Sequence, residues 1–152
     1  MFGAAGTGGG GVRAEIRVGR HTFVVDEPPA VGGIGEAPSP VENALAGLLS
    51  CQVVTCRFWA AQLDIPLDDI AVDVEGDLDL RGFFGFDDAV RPGFGGVRVT
   101  VTLSGPAEPE RYQEPAAAVD AHCPVLDLFR NTTPVITTLV AGPLVAGPPV
   151  AD

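Results

Sequence analysis

The sequence predicts an α+β fold in which antiparallel sheet packs on one long apolar helix, and three observations predict it. Residues 70–81 and 97–103 alternate apolar and polar side chains with a period of two, the mark of half-buried strands. The segment opened by Ser39-Pro40-Val41-Glu42 stays apolar almost all round as far as Trp59, as a helix does when other elements enclose it. The runs AEIRV and HTFVV are separated by Gly19-Arg20, which suits a two-residue hairpin with glycine at the first turn position.

In chain order, MFGAAGTGGGG buries too little to offset the entropy of ordering, so residues 1–12 are expected to form a flexible glycine-rich tail. The hairpin follows, with Ala14, Ile16, Val18, Phe23 and Val25 sharing its buried face. DEPPAVGGIGEAPSP is a loop of turn formers. Ser39 then caps the helix, Pro40 takes the first helical position, and Glu42 completes a capping box. The helix is expected to run to about Leu63 with Cys51 near its middle. The two alternating strands pair antiparallel across RGFFGFDDAVRPGFGG, a loop too long for a tight turn and of a kind that often carries function. Residues 109–122 are helix-prone, with Pro115 starting a second segment or kinking one, and Pro124 closes them just after Cys123. A short helix over 126–130 and a last strand over 135–140 complete a single domain spanning 13–140. VAGPLVAGPPVAD repeats a VAGP unit with no apolar face, so residues 141–152 are expected to form a second flexible tail.

At 152 residues the chain supports one core, and a helix apolar on every side needs more cover than one such chain supplies, so a homodimer is expected. A net charge of -11 argues against nucleic acid as a partner, because phosphate binding depends on clustered Lys and Arg. No basic segment followed by an apolar run is visible at the start. Glu42, Asn43, Gln52 and Arg57 interrupt the longest apolar-rich stretch, so neither a signal peptide nor a membrane partner is expected, and the location is expected to be cytoplasmic.

Three cysteines are an odd number for a disulfide framework, and widely spaced thiols in a reducing compartment are either inert core residues or reactive ones. Apolar burial would raise the Cys51 pKa and make it inert, so reactivity needs a nearby cation. Cys123 sits at a helix boundary that other elements can reach. Cys56 lies five residues from Cys51, about 140° round a helix of ~3.6 residues per turn, and reads as structural. Cys51, Cys56, His122 and Cys123 lack the spacing of a metal site, so neither a metal nor another cofactor is expected. His21 and His122 fall at a turn and at a helix end, outside any nucleophile arrangement.

HTFVVDEPP, APSPVENALAGLLSC, GDLDLRGFFGFDDAVRPGF and CPVLDLFRNTTPV occur in this order, with Cys51 eleven residues after Pro40 and a Cys-Pro pair 72 residues after Cys51. In these motifs the chain resembles the OsmC/Ohr family over roughly residues 13–140. The resemblance implies an OsmC-like fold in an intertwined homodimer, with antiparallel sheets packed on apolar central helices and sites at the subunit interface. It also implies that Cys51 is a peroxidatic thiol and Cys123 its resolving partner, reducing organic hydroperoxides at the expense of an external dithiol. Arg20 is the first candidate for the activating cation, with Arg13 and Arg17 as alternatives, and Phe83, Phe84 and Phe94 are expected to wall the substrate pocket. The sequence departs from the pattern at Val41, where strongly peroxidatic members carry Glu; Glu42 lies one residue later and is better explained as the capping partner of Ser39. The alternative is a non-catalytic binding protein on the same fold, or a different cysteine-based activity.

Overall fold

The computed structural model describes residues 2–142, and the final ten residues of the expected C-terminal tail lie outside it. The chain forms two compact units. One comprises the chain up to Asn43 together with the segment from Pro134; the other comprises Ala44–Thr133.

The first unit holds a three-stranded antiparallel sheet in the order β1-β2-β3, from Ala5–Gly8, Ala14–Val18 and His21–Val25. The Gly19-Arg20 hairpin forms as its sequence predicts, with Val18 opposite His21 and Gly19 at φ 55°, a left-handed conformation that costs glycine nothing. Ala14–Val25 and Ile16–Phe23 pair across the strands on the expected face, yet Val18 and Phe23 each remain 42% exposed. Ala5–Gly8 pairs with Ala14–Arg17 rather than standing as part of a loose tail. The glycines between the two strands let the chain reverse and reach the free edge of β2.

The loop after β3 is organised by Asp26. Its buried carboxylate accepts from the backbone N–H of Ile34 at 3.0 Å and of Glu36 at 3.2 Å. Burial pushes its pKa up, but the N–H groups of Glu27, Ile34, Glu36 and Gly35 outweigh that and hold the carboxyl below its ordinary value. Gly33 is required here because a Cβ would fall 1.7 Å from the Glu27 carbonyl oxygen.

Helix α1 runs Pro40–Gln62 behind the predicted capping box. The Ser39 N–H donates to Glu42 Oε2 at 2.7 Å, and the Glu42 N–H donates back to Ser39 Oγ at 3.4 Å. In the second unit, β4 (Asp69–Asp77) and β5 (Gly96–Ser104) form an antiparallel pair with Val74 opposite Val99. The alternation through Asp77 is as predicted, but Leu80 does not continue the strand. Asp79 accepts from the Arg81 N–H at 3.0 Å and caps a four-residue helix, α2 (Leu80–Phe83), so local capping overrides the period-two pattern.

A 3₁₀ turn (Pro109–Tyr112) leads into α3 (Gln113–His122), and α4 (Pro124–Arg130) follows. The buried core gathers Leu48, Cys56, Val119, Cys123 and Leu126. By length and composition α1 is apolar enough to cross a membrane. Its Leu48, Gln52, Thr55, Cys56 and Ala60 are nonetheless buried in this fold. The strand expected over 135–140 is not formed: those residues have no ladder partner among the described residues, and Val135, Ile136, Leu139 and Val140 stand exposed.

Candidate functional site

One face of α1 carries Leu48, Gln52, Thr55, Cys56 and Ala60 into the core, while Val54 and Phe58 on another face are exposed. Cys51 lies between the two, half-buried, with the Thr55 hydroxyl one helical turn on at 3.9 Å from its sulfur. Cys56 is buried in the core, where desolvation raises its pKa and the charge of Arg57 only partly opposes it. The third thiol, Cys123, is the hinge residue between α3 and α4. Its N–H donates to the Val119 carbonyl at 2.9 Å, its extended backbone breaks the helix, and Pro124 starts the next one. His122, the residue before it, stacks on Trp59 of α1 with ring centroids 4.5 Å apart, which pins the end of α3 against α1.

This packing brings Cys123 beside Cys51, and all three cysteines are free thiols. Burial pushes the Cys123 thiol above its ordinary range and the adjacent Cys51 adds to the rise, while the Leu126 N–H and the Thr55 hydroxyl favour the thiolate. Gln52 completes the arrangement. Its buried side-chain amide donates from Nε2 to Cys123 Sγ at 3.7 Å. Sequence reasoning missed this residue as part of the site, reading it only as an interruption of an apolar stretch. The signal that could have found it is a long polar side chain next to a cysteine in a helix enclosed by apolar neighbours, where it must find an internal partner.

The predicted cation candidates lie in the first unit. Arg20 is exposed at the hairpin turn, Arg17 is half-buried on β2, and Arg13 is ion-paired with Glu36. Glu42 is engaged by the Ser39 N–H and hydroxyl, and the Ser39 N–H hydrogen bond is the main cause of a carboxyl pKa held below its ordinary value.

The aromatic loop divides. Phe94 stacks on Phe129 with centroids 6.4 Å apart and lines an open cavity of about 760 Å³ between α1, β5, α3, α4 and the loop before β5. Phe83 and Phe84 pack edge to face on each other at 5.0 Å, remain exposed, and are not part of that cavity wall. Gly76 of β4 makes room for Phe94, since a Cβ there would lie 2.6 Å from the ring. Gln52 and Cys56 also line the cavity, and Cys51 does not. Among the described residues, no group of three or more His, Cys, Asp or Glu side chains is disposed to hold a metal ion.

Chemically, two adjacent thiols on separate elements, one half-exposed and one buried, are suited to alternate between a dithiol and a disulfide.

Comparison with known proteins agrees with this fold. The chain is similar to an organic hydroperoxide resistance protein OsmC from Legionella pneumophila, with 23% identity, TM-score 0.65, and 86% of this chain and 89% of that one covered. It is similar to an OsmC-like protein from Mycoplasma pneumoniae at 14% identity, with TM-score 0.72 and coverage of 86% and 87%. The organic hydroperoxide resistance protein OhrB of Bacillus subtilis matches at 21% identity, with TM-score 0.58 and coverage of 86% and 90%. A comparison with curated protein sequences finds no match. The family model described as OsmC-like protein matches residues 33–138, most of the chain, and the chain therefore belongs to the OsmC-like family.

Proposed function

We propose that the protein is a thiol-dependent peroxidase that reduces organic hydroperoxides through Cys51 and Cys123, acting as a homodimer in the cytoplasm. The observation that carries this reading is the adjacency of two free thiols that stand 72 residues apart in sequence. The Cys51 thiolate attacks the distal peroxide oxygen and breaks the O–O bond. The alkoxide leaves, takes up a proton as the alcohol, and Cys51 becomes a sulfenic acid. Cys123 then attacks that sulfur, water leaves, and a disulfide holds the oxidising equivalents. An external dithiol supplies the two electrons that restore both thiols. Half-burial between apolar helix faces favours a hydroperoxide with an alkyl or aryl body over hydrogen peroxide.

A thiol in such a setting needs a cation to ionise at neutral pH, and Arg20 is our first candidate for it, ahead of Arg17 and Arg13. The Arg13–Glu36 ion pair makes Arg13 the least available of the three. Val41 and the commitment of Glu42 to the helix cap favour a second reading, a binding protein that keeps the fold without the reaction.

Cumene hydroperoxide consumption with a dithiol reductant distinguishes them. The peroxidase reading expects turnover in the wild type, loss to background in Cys51→Ser, and in Cys123→Ser, mixed with peroxide before the dithiol is added, a single turnover that stops at the sulfenic acid. It also expects Arg20→Gln to slow the first step at neutral pH. Wild-type turnover no faster than Cys51→Ser would establish the binding-protein reading.

A further inference from the structure

We propose that the 760 Å³ cavity is a second binding site, distinct from the opening at Cys51, which takes an apolar carboxylate whose anionic head is held by Arg91. The volume falls within the roughly 300–1,000 Å³ of small-molecule sites. About half of the wall is apolar, with Val97, Val99, Leu126, Phe94 and Phe129 offering surface for an alkyl or aryl body beside the polar part.

The charge in the wall decides the head group. All nine basic side chains of this chain are arginines, against 20 Asp and Glu. Arg13, Arg81, Arg98, Arg111 and Arg130 are ion-paired, and Arg57 donates to the carbonyls of Leu67 and Asp68. Arg17, Arg20 and Arg91 have neither an ion pair nor a hydrogen bond among the described residues, and of these three Arg91 is the one in the cavity wall. Its guanidinium lies over Gly93, with an Nη 3.3 Å from where a Cβ would stand. The carboxylate in the same wall, Asp120, is neutralised by Arg130 at 3.0 Å, so it opposes an incoming anion little. A chain this acidic that leaves a guanidinium unmatched at a cavity with an apolar side offers a fork of donors suited to a carboxylate.

A second polar group supports a ligand there. Gln52 lines the cavity, is 4% exposed, and its one hydrogen bond in the described structure is the amide donation to Cys123. Its carbonyl oxygen is the acceptor that remains, and a ligand or solvent in the cavity would meet it.

The test is equilibrium dialysis of labelled decanoate against the reduced full-length protein, with decanol as the uncharged analogue. We expect one decanoate per chain and about tenfold weaker binding of decanol, the fold-change that loss of one charge-assisted contact produces. Arg91→Gln should weaken decanoate about tenfold and leave decanol unchanged. Ala116→Trp, which fills the cavity from its exposed helical rim, should abolish both, with circular dichroism confirming that α3 is retained. Absence of decanoate binding to the wild type, equal affinity in Arg91→Gln, or full binding in Ala116→Trp would each overturn the proposal. Because Cys51 lies outside the cavity wall, the result is independent of whether the protein reduces peroxides.

Discussion

At the scale of single residues, the proposed pairing of Cys51 with Cys123 would leave the second thiol with a kinetic handicap, and Gln52 is placed to offset it. Burial raises the Cys123 pKa, so little thiolate is present at neutral pH to attack a sulfenic acid. An N–H donor at its sulfur favours the thiolate and holds the side chain toward α1. Gln52→Met keeps the volume and removes the donor. It is expected to leave the first oxidation step within about twofold and to slow disulfide formation severalfold, as a hydrogen bond worth about 1 kcal/mol implies. The readout is dimedone-trapped Cys51 sulfenate, which should accumulate in the variant and decay faster as pH rises above neutrality; equal decay in both proteins would dismiss the role of Gln52. The cysteine pair itself was legible only through motif order. Its spacing carries no geometric information, because the junction that aims Cys123 is made by the His122–Trp59 stack and the α3–α4 break. Arg91 was not legible at all: nothing local in RPGF distinguishes a guanidinium over a cavity from one in solvent.

At the scale of elements, the cap of α1 bears directly on chemistry. Because Glu42 receives the Ser39 N–H and hydroxyl, its work is structural. Glu42→Gln, which keeps a capping acceptor, should retain peroxidase turnover within about twofold. Ser39→Ala should cost about 0.5–2 kcal/mol in urea unfolding, the usual worth of an N-cap; a Glu42→Gln loss of a hundredfold in turnover would instead return the carboxylate to the site. These local signals, the capping box and the Gly19 hairpin, were readable because they are set by side chains within four residues of each other. The end of β4 was not, since Leu78 and Leu80 continue the alternation while Asp79 captures the backbone. Asp26 gives the first unit a pH dependence of defined sign. Its folded pKa lies below the ordinary 3.8, so its contribution is full above that value and is lost as pH falls through the lower folded pKa. Asp26→Asn should be less stable than the wild type at pH 7, with a difference that shrinks on acidification below about pH 4. Parallel stability curves for the two proteins between pH 2 and 7 would count against the carboxylate.

At the scale of the whole molecule, each unit leaves apolar surface that a second copy would cover. In the second unit, Val54 and Phe58 of α1 are 67% and 56% exposed, although the sequence predicts a helix enclosed on every side. In the first, residues 135–140 read as a strand yet have no partner strand among the described residues, and Ile136 and Leu139 are 94% and 91% exposed. The period and composition of both segments were legible; their occupants were not, because an amphipathic pattern states that a face is to be covered without saying which chain covers it. The excess over what one copy can bury leads us to propose the homodimer. Aromatic anchors dominate such interfaces, so Phe58→Asp, which places a charge in the middle of the exposed face, should weaken association by about 30-fold or more. Charge sets a second expectation: each copy carries a net -11, so two copies repel at long range, and raising salt shortens the screening length. Sedimentation should therefore show a dimer that tightens between low and 0.5 M salt, the opposite of an assembly held by ion pairs. A wild type that sediments as a monomer at micromolar concentration in high salt would leave Val54 and Phe58 as solvent-facing residues and remove the dimer from the proposed mechanism.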